Sequence, residues 1–339
     1  SGSRSVLVSG ILQPCGVQYT LFKDGELLLE QGELSGRLTD DPVLKNYLSS
    51  ITQLSFGENL HSVGVNSCMG LSELKVLKLG SSVETIGDWA FGDLKTLTSV
   101  SFSSNIKSIG EFAFAGCTSL RTITFPENIT IDLAACSFQG CSNLVTIQFP
   151  QSGTVHIGDR VFAYCTALME VEIPNSVNSM GVSIFEECSA LRTVTFGCNH
   201  IDDRSFEGCG SITSFVFNPG VVSIGSRAFE RCEGITTIVL PDCLVDIGTY
   251  AFNECRNLEM IVLPKSLVHV GYGFLKDCDN CTKGVYYRGT REEWRKIKTE
   301  DSKGKETTLC IKNGDSTYYY KFKYDNLEFS VTTDYNNTI

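Results

Sequence analysis

The residues in this sequence best suited to chemistry are its thiols. Fifteen cysteines stand among 339 residues, and an odd number leaves at least one without an intramolecular disulfide partner. Cys117, Cys141, Cys165, Cys188, Cys209, Cys232, Cys255 and Cys278 recur every 21 to 24 residues, whereas Cys15, Cys68, Cys136, Cys198, Cys243, Cys281 and Cys310 fall outside that series. Cys278 and Cys281 form one C-x-x-C, but a zinc site needs two more ligands at suitable spacing, and no second pair exists. His156, His200 and His269 share another phase of the same period, each just before an Ile-Gly-like step. They sit in units five, seven and ten of the repeat, too far apart to converge on one metal ion, and His61 is offset by one. In sequence they have no nucleophile or orienting carboxylate beside them. Neither a G-x-x-x-x-G-K loop nor a well-placed G-x-G-x-x-G is present. The sequence therefore assigns no catalytic residue, metal site or cofactor, and predicts a non-enzymatic protein.

Composition narrows the class. A charged fraction of 20% and a hydrophobic fraction of 42% fit a folded globular chain. The net charge of −11 argues against a nucleic-acid partner, which would need a basic face. No run approaches the ~20 apolar residues that span a bilayer, so no membrane insertion is expected. The opening "SGSR" reads as an expression remnant and lacks the regions of a signal peptide. Asn128-Ile129-Thr130 and Asn280-Cys281-Thr282 fit the glycosylation pattern, which matters only in a host that secretes through an endoplasmic reticulum.

What positions the thiols is a repeat. Phe91, Phe114, Phe138, Phe162, Phe185, Phe206, Phe229 and Phe252 follow one another at about 23 residues; one step back reaches Cys68 and one step on reaches Leu275, which makes ten units. Each reads I-G-x-x-A-F-x-x-C-x-x-L-x-x-I-x-[FL]-P. The second half alternates apolar and polar as a half-buried strand does, and Pro126, Pro150, Pro174, Pro241 and Pro264 close it. In the first half, the spacing of Ile, Ala/Phe and Cys predicts a helical or 3₁₀ turn. Gly87, Gly110, Gly158, Gly225 and Gly248 are expected to supply a turn conformation that a side chain resists. A single unit cannot bury its apolar face, so neighbours must stack into a solenoid. In such a stack the serial cysteines lie about 4.8 Å apart with parallel side chains, which disfavours bridging. They are read as small buried apolar groups.

The motif "IGxxAFxxCxxLxxIxLP" resembles the BspA-type leucine-rich repeat of bacterial surface proteins and some protozoa. "SGILQPCGVQYTLFKDGELLLEQGELSG" from Ser9 resembles the amino-terminal cap of such proteins, with Asp24-Gly25 an independent hairpin signal. "VYYRGTREEWRKI" from Val285 resembles their carboxy-terminal cap, and Thr290 with Glu293 makes a capping box that predicts a short helix over "REEWRKIK". "STYYYKFKY" and "LEFSVTT" read as further strands. The expectation is an α/β repeat solenoid: a right-handed array of about ten parallel-strand units over 46–281, a β cap over 1–45 and a helix-plus-strand cap over 282–339. Cys68 in place of the marker Phe, a unit ending at Phe206 that is two residues short, and Ile201-Asp202 in place of Ile-Gly depart from the pattern. They predict a kink or bulge near 197–205.

Where the repeat fixes the core, only what varies can select a partner. Alternation turns two positions per strand outward. Down the stack these run Gln53/Ser55, Val76/Lys78, Ser99/Ser101, Thr122/Thr124, Thr146/Gln148, Glu170/Glu172, Thr193/Thr195, Ser214/Val216, Thr237/Val239 and Met260/Val262. Val216, Val239, Met260 and Val262 form an apolar run expected to be exposed, with Thr193, Thr195, Glu170 and Glu172 beside it. An extended sheet surface of this kind binds protein partners, unless β-branched side chains are there only for packing or the carboxy-terminal cap covers them. Glu170 and Glu172 fall short of the six to eight oxygens that calcium takes. The resemblance implies a secreted or surface-displayed module that adheres to extracellular-matrix, host or cell-surface proteins. A presentation stalk within a longer surface protein, or an accessory module of a secreted enzyme, fits the same residues.

Overall fold

The computed structural model describes residues 4–281, 284–300, 303, 305–308, 312–313, 316–317, 320–322 and 330–332. Cys310 and Thr282 of the second glycosylation pattern lie outside them. The chain winds into a parallel-strand β-solenoid of about eleven turns with very little helix. Ahead of the sequence repeats, Glu26–Glu30 pairs in parallel with Gln53–Phe56, and Gly32–Leu34 with Leu60–Val63.

The α/β expectation is corrected by the first half of each repeat. Among the described residues the one α-helix is Arg291–Trp294. Its Thr290 N–H donates to Glu293 Oε2 at 2.8 Å, and the Glu293 N–H donates to Thr290 Oγ1 at 3.2 Å. Elsewhere the "IGxxAFxxC" segments are turns carrying two left-handed residues four apart: Trp89 and Asp93, Phe112 and Gly116, Arg160 and Tyr164, Arg227 and Arg231, Tyr250 and Glu254. Such residues cost about 1–2 kcal/mol each when they carry a side chain and cannot propagate a right-handed helix. The backbone bonds outward instead. Phe91 N–H donates to Ala113 O and Asp93 N–H to Ala115 O, both at 2.8 Å; Phe229 N–H donates to Ala251 O at 2.7 Å and Arg231 N–H to Asn253 O at 2.9 Å. A spacing of three to five apolar residues fits this arc as well as it fits a helix, which is why the sequence misleads here.

The chain divides into two compact units, 1–168 with 174–184, and 169–173 with 185–339. In the first, one six-stranded sheet begins with Val6–Ile11, antiparallel to the hairpin Gln18–Phe22 and Glu26–Glu30, and runs through Gln53–Phe56, Val76–Lys78 and Ser99–Ser101. A second sheet of seven strands ends at Val177–Met180. In the second unit, Glu170–Ile173, Thr193–Phe196 and Ser214–Phe217 form a parallel three-stranded sheet. Thr237–Val239, Met260–Leu263 and Gly284–Tyr287 begin another, continued by Tyr320–Phe322 and Ser330–Thr332. Past the shortened unit His200–Ile201 pairs in register with Ser223–Ile224, and among the described residues no ladder joins it to an earlier strand. Asn218 Nδ2 donates to Gly197 O at 2.5 Å. Register shifts occur between Val155 and His156, where Gly153–Ile157 meets Val177–Met180, and in the first turns at Val6/Val8 and Gly32/Glu33.

Three columns hold the turns together. The marker rings are fully buried and stacked: Phe91 on Phe114 at 5.1 Å and Phe114 on Phe138 at 5.2 Å in the first unit, Phe206 on Phe229 at 5.6 Å and Phe229 on Phe252 at 5.1 Å in the second. Beside them the thiols act as donors. Cys117 Sγ gives its hydrogen to Phe91 O at 3.2 Å, Cys141 to Phe114 O at 3.3 Å, Cys232 to Phe206 O at 3.2 Å and Cys255 to Phe229 O at 3.2 Å. The serial cysteine is thus buried as expected, and its sulfur also ties each turn to the one before. The glycine column has a different cause from the one expected. Gly87 and Gly248 have no left-handed backbone; a Cβ on Gly87 would lie 2.7 Å from Val65 N, and one on Gly248 2.4 Å from Ser226 N. Contact with the preceding turn's backbone, and not turn geometry, excludes a side chain there.

Two substitutions separate these effects. Phe229→Ala should cost about 3–5 kcal/mol through the cavity it leaves, and Gly248→Ala about 1–3 kcal/mol by overpacking the backbone contact. Urea unfolding of each variant measures both; an unchanged midpoint for Gly248→Ala would remove the contact argument.

Candidate binding face on the second unit

The three-stranded sheet places the candidate side chains in a grid. Register pairs Glu170 with Thr193 and Ser214, and Glu172 with Thr195 and Val216. Their neighbours Val171, Val194 and Phe196 point inward and are buried, so alternation turns these six outward. All six are exposed, Val216 at 53%. On the next sheet Thr237 and Val239 are exposed as well, Val239 at 47%.

The apolar run is shorter than the sequence predicts. Val262 is buried, at 6%, and Met260 is half-buried. The strand Gly284–Tyr287 lies alongside and sets the nearly buried Tyr286 directly opposite Val262. The run is also interrupted. Among the described residues no ladder joins Ser214–Phe217 to Thr237–Val239. Here Phe215 stands where most repeats carry Ile or Val, its ring 4.5 Å from Phe217 and 5.0 Å from Phe229. In the first unit, Ser55 of the outward stripe is buried as well, because its hydroxyl donates to the Glu26 carboxylate.

Charge on the face is uncompensated. Glu170 and Glu172 make no ion pair or side-chain hydrogen bond with any described residue. Other acids of the unit have arginine partners: Glu230 meets Arg227 at 2.9 Å, Glu187 and Glu207 meet Arg231 at 2.6 and 3.2 Å, and Glu254 meets Arg256 at 2.8 Å. Alternate residues on one strand stand about 7 Å apart, so the two carboxylates also repel each other.

The histidines gain neighbours that the sequence could not show. In the first unit Asp132, His156 and Ser179 occupy consecutive strands of the second sheet, and His156 Nδ1 is 2.8 Å from Ser179 Oγ. They border a shallow groove of about 650 Å³ that also takes in Ser62, Thr85 and Ser108. In the second unit His200 Nδ1 is 2.8 Å from Ser223 Oγ, and His269 Nδ1 is 2.6 Å from Asp246 Oδ1. Among the described residues no carboxylate bonds the His156 ring, so no acid-base relay is assembled. The recurrence of the contact at one repeat phase makes it a tie between strands. That shared phase is the sequence signal that could have found it.

A profile described as the BspA type leucine rich repeat region matches six copies over residues 44–152, 93–210, 128–235 and 199–291. The chain belongs to the BspA-type leucine-rich repeat family. Among solved structures, this BspA-type chain is similar to a leucine-rich repeat protein of Bacteroides ovatus, with 19% identity, a TM-score of 0.56, and coverage of 96% of this chain and 100% of the other. It is also similar to a leucine rich cell surface protein of Faecalibacterium prausnitzii, with 20% identity, a TM-score of 0.37, and coverage of 87% and 98%. No curated protein matches. Among the described residues of the BspA-type chain, no helix is long and apolar enough to cross a membrane.

Burial rules the thiol chemistry of this BspA-type array. It pushes the Cys117 and Cys281 thiols up to about 12 and Cys198 up to about 11, and it raises Cys68, Cys141, Cys209 and Cys232 as well. Such groups stay protonated and unreactive at neutral pH, whereas Cys243 is exposed. In the unfolded chain a thiol ionises near ~8.5. The stabilisation from each protonated buried thiol is therefore complete below that pH and is lost as pH rises toward the folded value. The unfolding free energy should fall above about pH 8.5, by up to ~1.4 kcal/mol per pH unit for each such thiol. Denaturant melts from pH 7 to 10 measure the slope, and Cys117→Ala should flatten it; equal slopes for the two proteins would refute the assignment.

Proposed function

We propose that this chain is a non-enzymatic binding module acting at the cell surface, which takes up a protein partner on the outward face of the second unit. The observation that carries the reading is the exposure of Val216 and Val239 beside inward side chains that are half-buried, Phe215 and Phe217, or buried, Ile238. Apolar groups left in water on a sheet face are what a protein interface covers. Membership of a family of repeat proteins whose stacked strands offer extended surfaces supports it. The resemblance to bacterial surface proteins supports the location, with extracellular-matrix or host surface proteins as the partner class and adhesion as the role.

The test is binding of the purified chain to a panel of extracellular-matrix and cell-surface proteins, alongside a Val216→Asp/Val239→Asp variant. Both side chains are exposed, so the variant should melt within a few degrees of the parent. Affinity for any panel member that binds should drop at least tenfold. Binding that survives the double substitution would move the site off this face, and no binding by the parent would favour a presentation stalk.

A further inference from the structure

The first sheet ends on an open strand edge. Val6–Ile11 pairs antiparallel with Gln18–Phe22 on one side, and among the described residues no strand pairs with it on the other. Leu12 N–H donates to Val17 O at 2.8 Å and Lys23 N–H to Ser5 O at 2.9 Å. Antiparallel pairing alternates bonded and non-bonded residues, so between these two ends the backbone groups of Val8 and Gly10 also face the neighbouring strand. Those of Val6, Ser9 and Ile11 face the open edge. Leu7 has no partner in the register, and this bulge puts the side chains of the same three residues on the outer face, opposite Phe22, Thr20 and Gln18. Val6 is 50% and Ile11 52% exposed. Unpaired N–H and C=O groups along an edge are a template for another strand, and proteins commonly guard such an edge with charged side chains. Here no charged residue occurs from Ser5 to Phe22. Arg4, just before it, is held within the chain by Asp24 at 3.0 Å and by Glu26.

We infer that this edge pairs with the same edge of a second copy of the chain, antiparallel about a two-fold axis at Ser9. In that register Ser9 faces Ser9 of the second copy, Val6 faces Ile11, and Ile11 faces Val6. The open backbone groups of all three residues then meet open groups, and the two exposed apolar side chains lie against each other across the strands. A two-fold pair needs a surface that complements itself. Val6, Ser9 and Ile11 are such a set, symmetric about the middle member once Leu7 is skipped. Two chains of net charge −11 repel each other, and a neutral strand lets them meet with no like charges face to face.

Sedimentation equilibrium of the purified chain at rising concentration tests this. Two six-residue strands make a small and therefore weak interface, so the mass should climb from monomer toward dimer as the concentration approaches about 1 mM. Val6→Asp/Ile11→Asp sets carboxylates against each other across the axis and should raise the dissociation constant at least tenfold. Ser9→Pro removes one N–H from the open edge, where a sheet tolerates proline, and should have the same effect. Both variants should melt within a few degrees of the parent. Thr122→Asp/Thr124→Asp adds equal charge to exposed positions on a different sheet and should leave dimerisation intact. A parent that stays monomeric, a dimer that persists in both edge variants, or an equal loss in the control would overturn the inference. So would a monomeric parent whose binding to a panel protein is lost in Ser9→Pro, which would give the edge to a strand of another protein.

Discussion

Hydrogen bonding between successive turns is the constraint on which the rest of this structure depends. It runs through the arcs as well as the strands, so each turn sits one strand spacing from the next around much of its circumference. Every inward side chain then has the same repeat position above and below it. Phenylalanine stacks on phenylalanine because a ring pair offset along the stack fills that spacing with favourable contact. Where two arcs would collide, the residue is glycine; where a carbonyl needs a donor, it is cysteine. The repeat is the chain's answer to one spacing imposed many times.

That origin explains which parts of the fold could be read from sequence. The period, the inward positions and the buried thiols are legible because the spacing forces the same residue type into each turn. The arc is not. Ile, Ala/Phe and Cys at three to five residues satisfy a helix and a tight β-arc equally, and apolar spacing alone cannot separate them. The residues that distinguish them are the left-handed pair. Gly116 announces such a position plainly, but Trp89, Tyr164 and Arg231 hold it with side chains that conceal it. The glycine column misled in the opposite sense: a conformational reason was expected where the cause is contact between turns, which only a neighbour from another part of the chain reveals.

The candidate site divides along the same line. Outward positions follow from strand alternation, and Glu170, Glu172, Thr193, Thr195, Val216 and Val239 are exposed on that account. Val262 is outward by the same rule and yet buried, because its exposure depends on what pairs with its strand. The break beside Val216 likewise lies in the pairing of neighbouring strands, which a pattern of apolar and polar residues does not record. The histidine ties belong here too, since Asp132, His156 and Ser179 are about 23 residues apart in sequence and neighbours only in the sheet.

Charge makes the difference between arc and face sharpest. In the second unit the left-handed positions carry Arg204, Arg227 and Arg231, and these arginines reach the largely buried Glu207 and Glu230. Burying a carboxylate without a partner is costly, so the arc must resolve its charge within the chain. The sheet face is under no such demand, because water already stabilises Glu170 and Glu172. An acid there adds nothing to folding and repels its neighbour. The core therefore has no use for the pair. A position that folding leaves unconstrained can vary from turn to turn without cost to the stack.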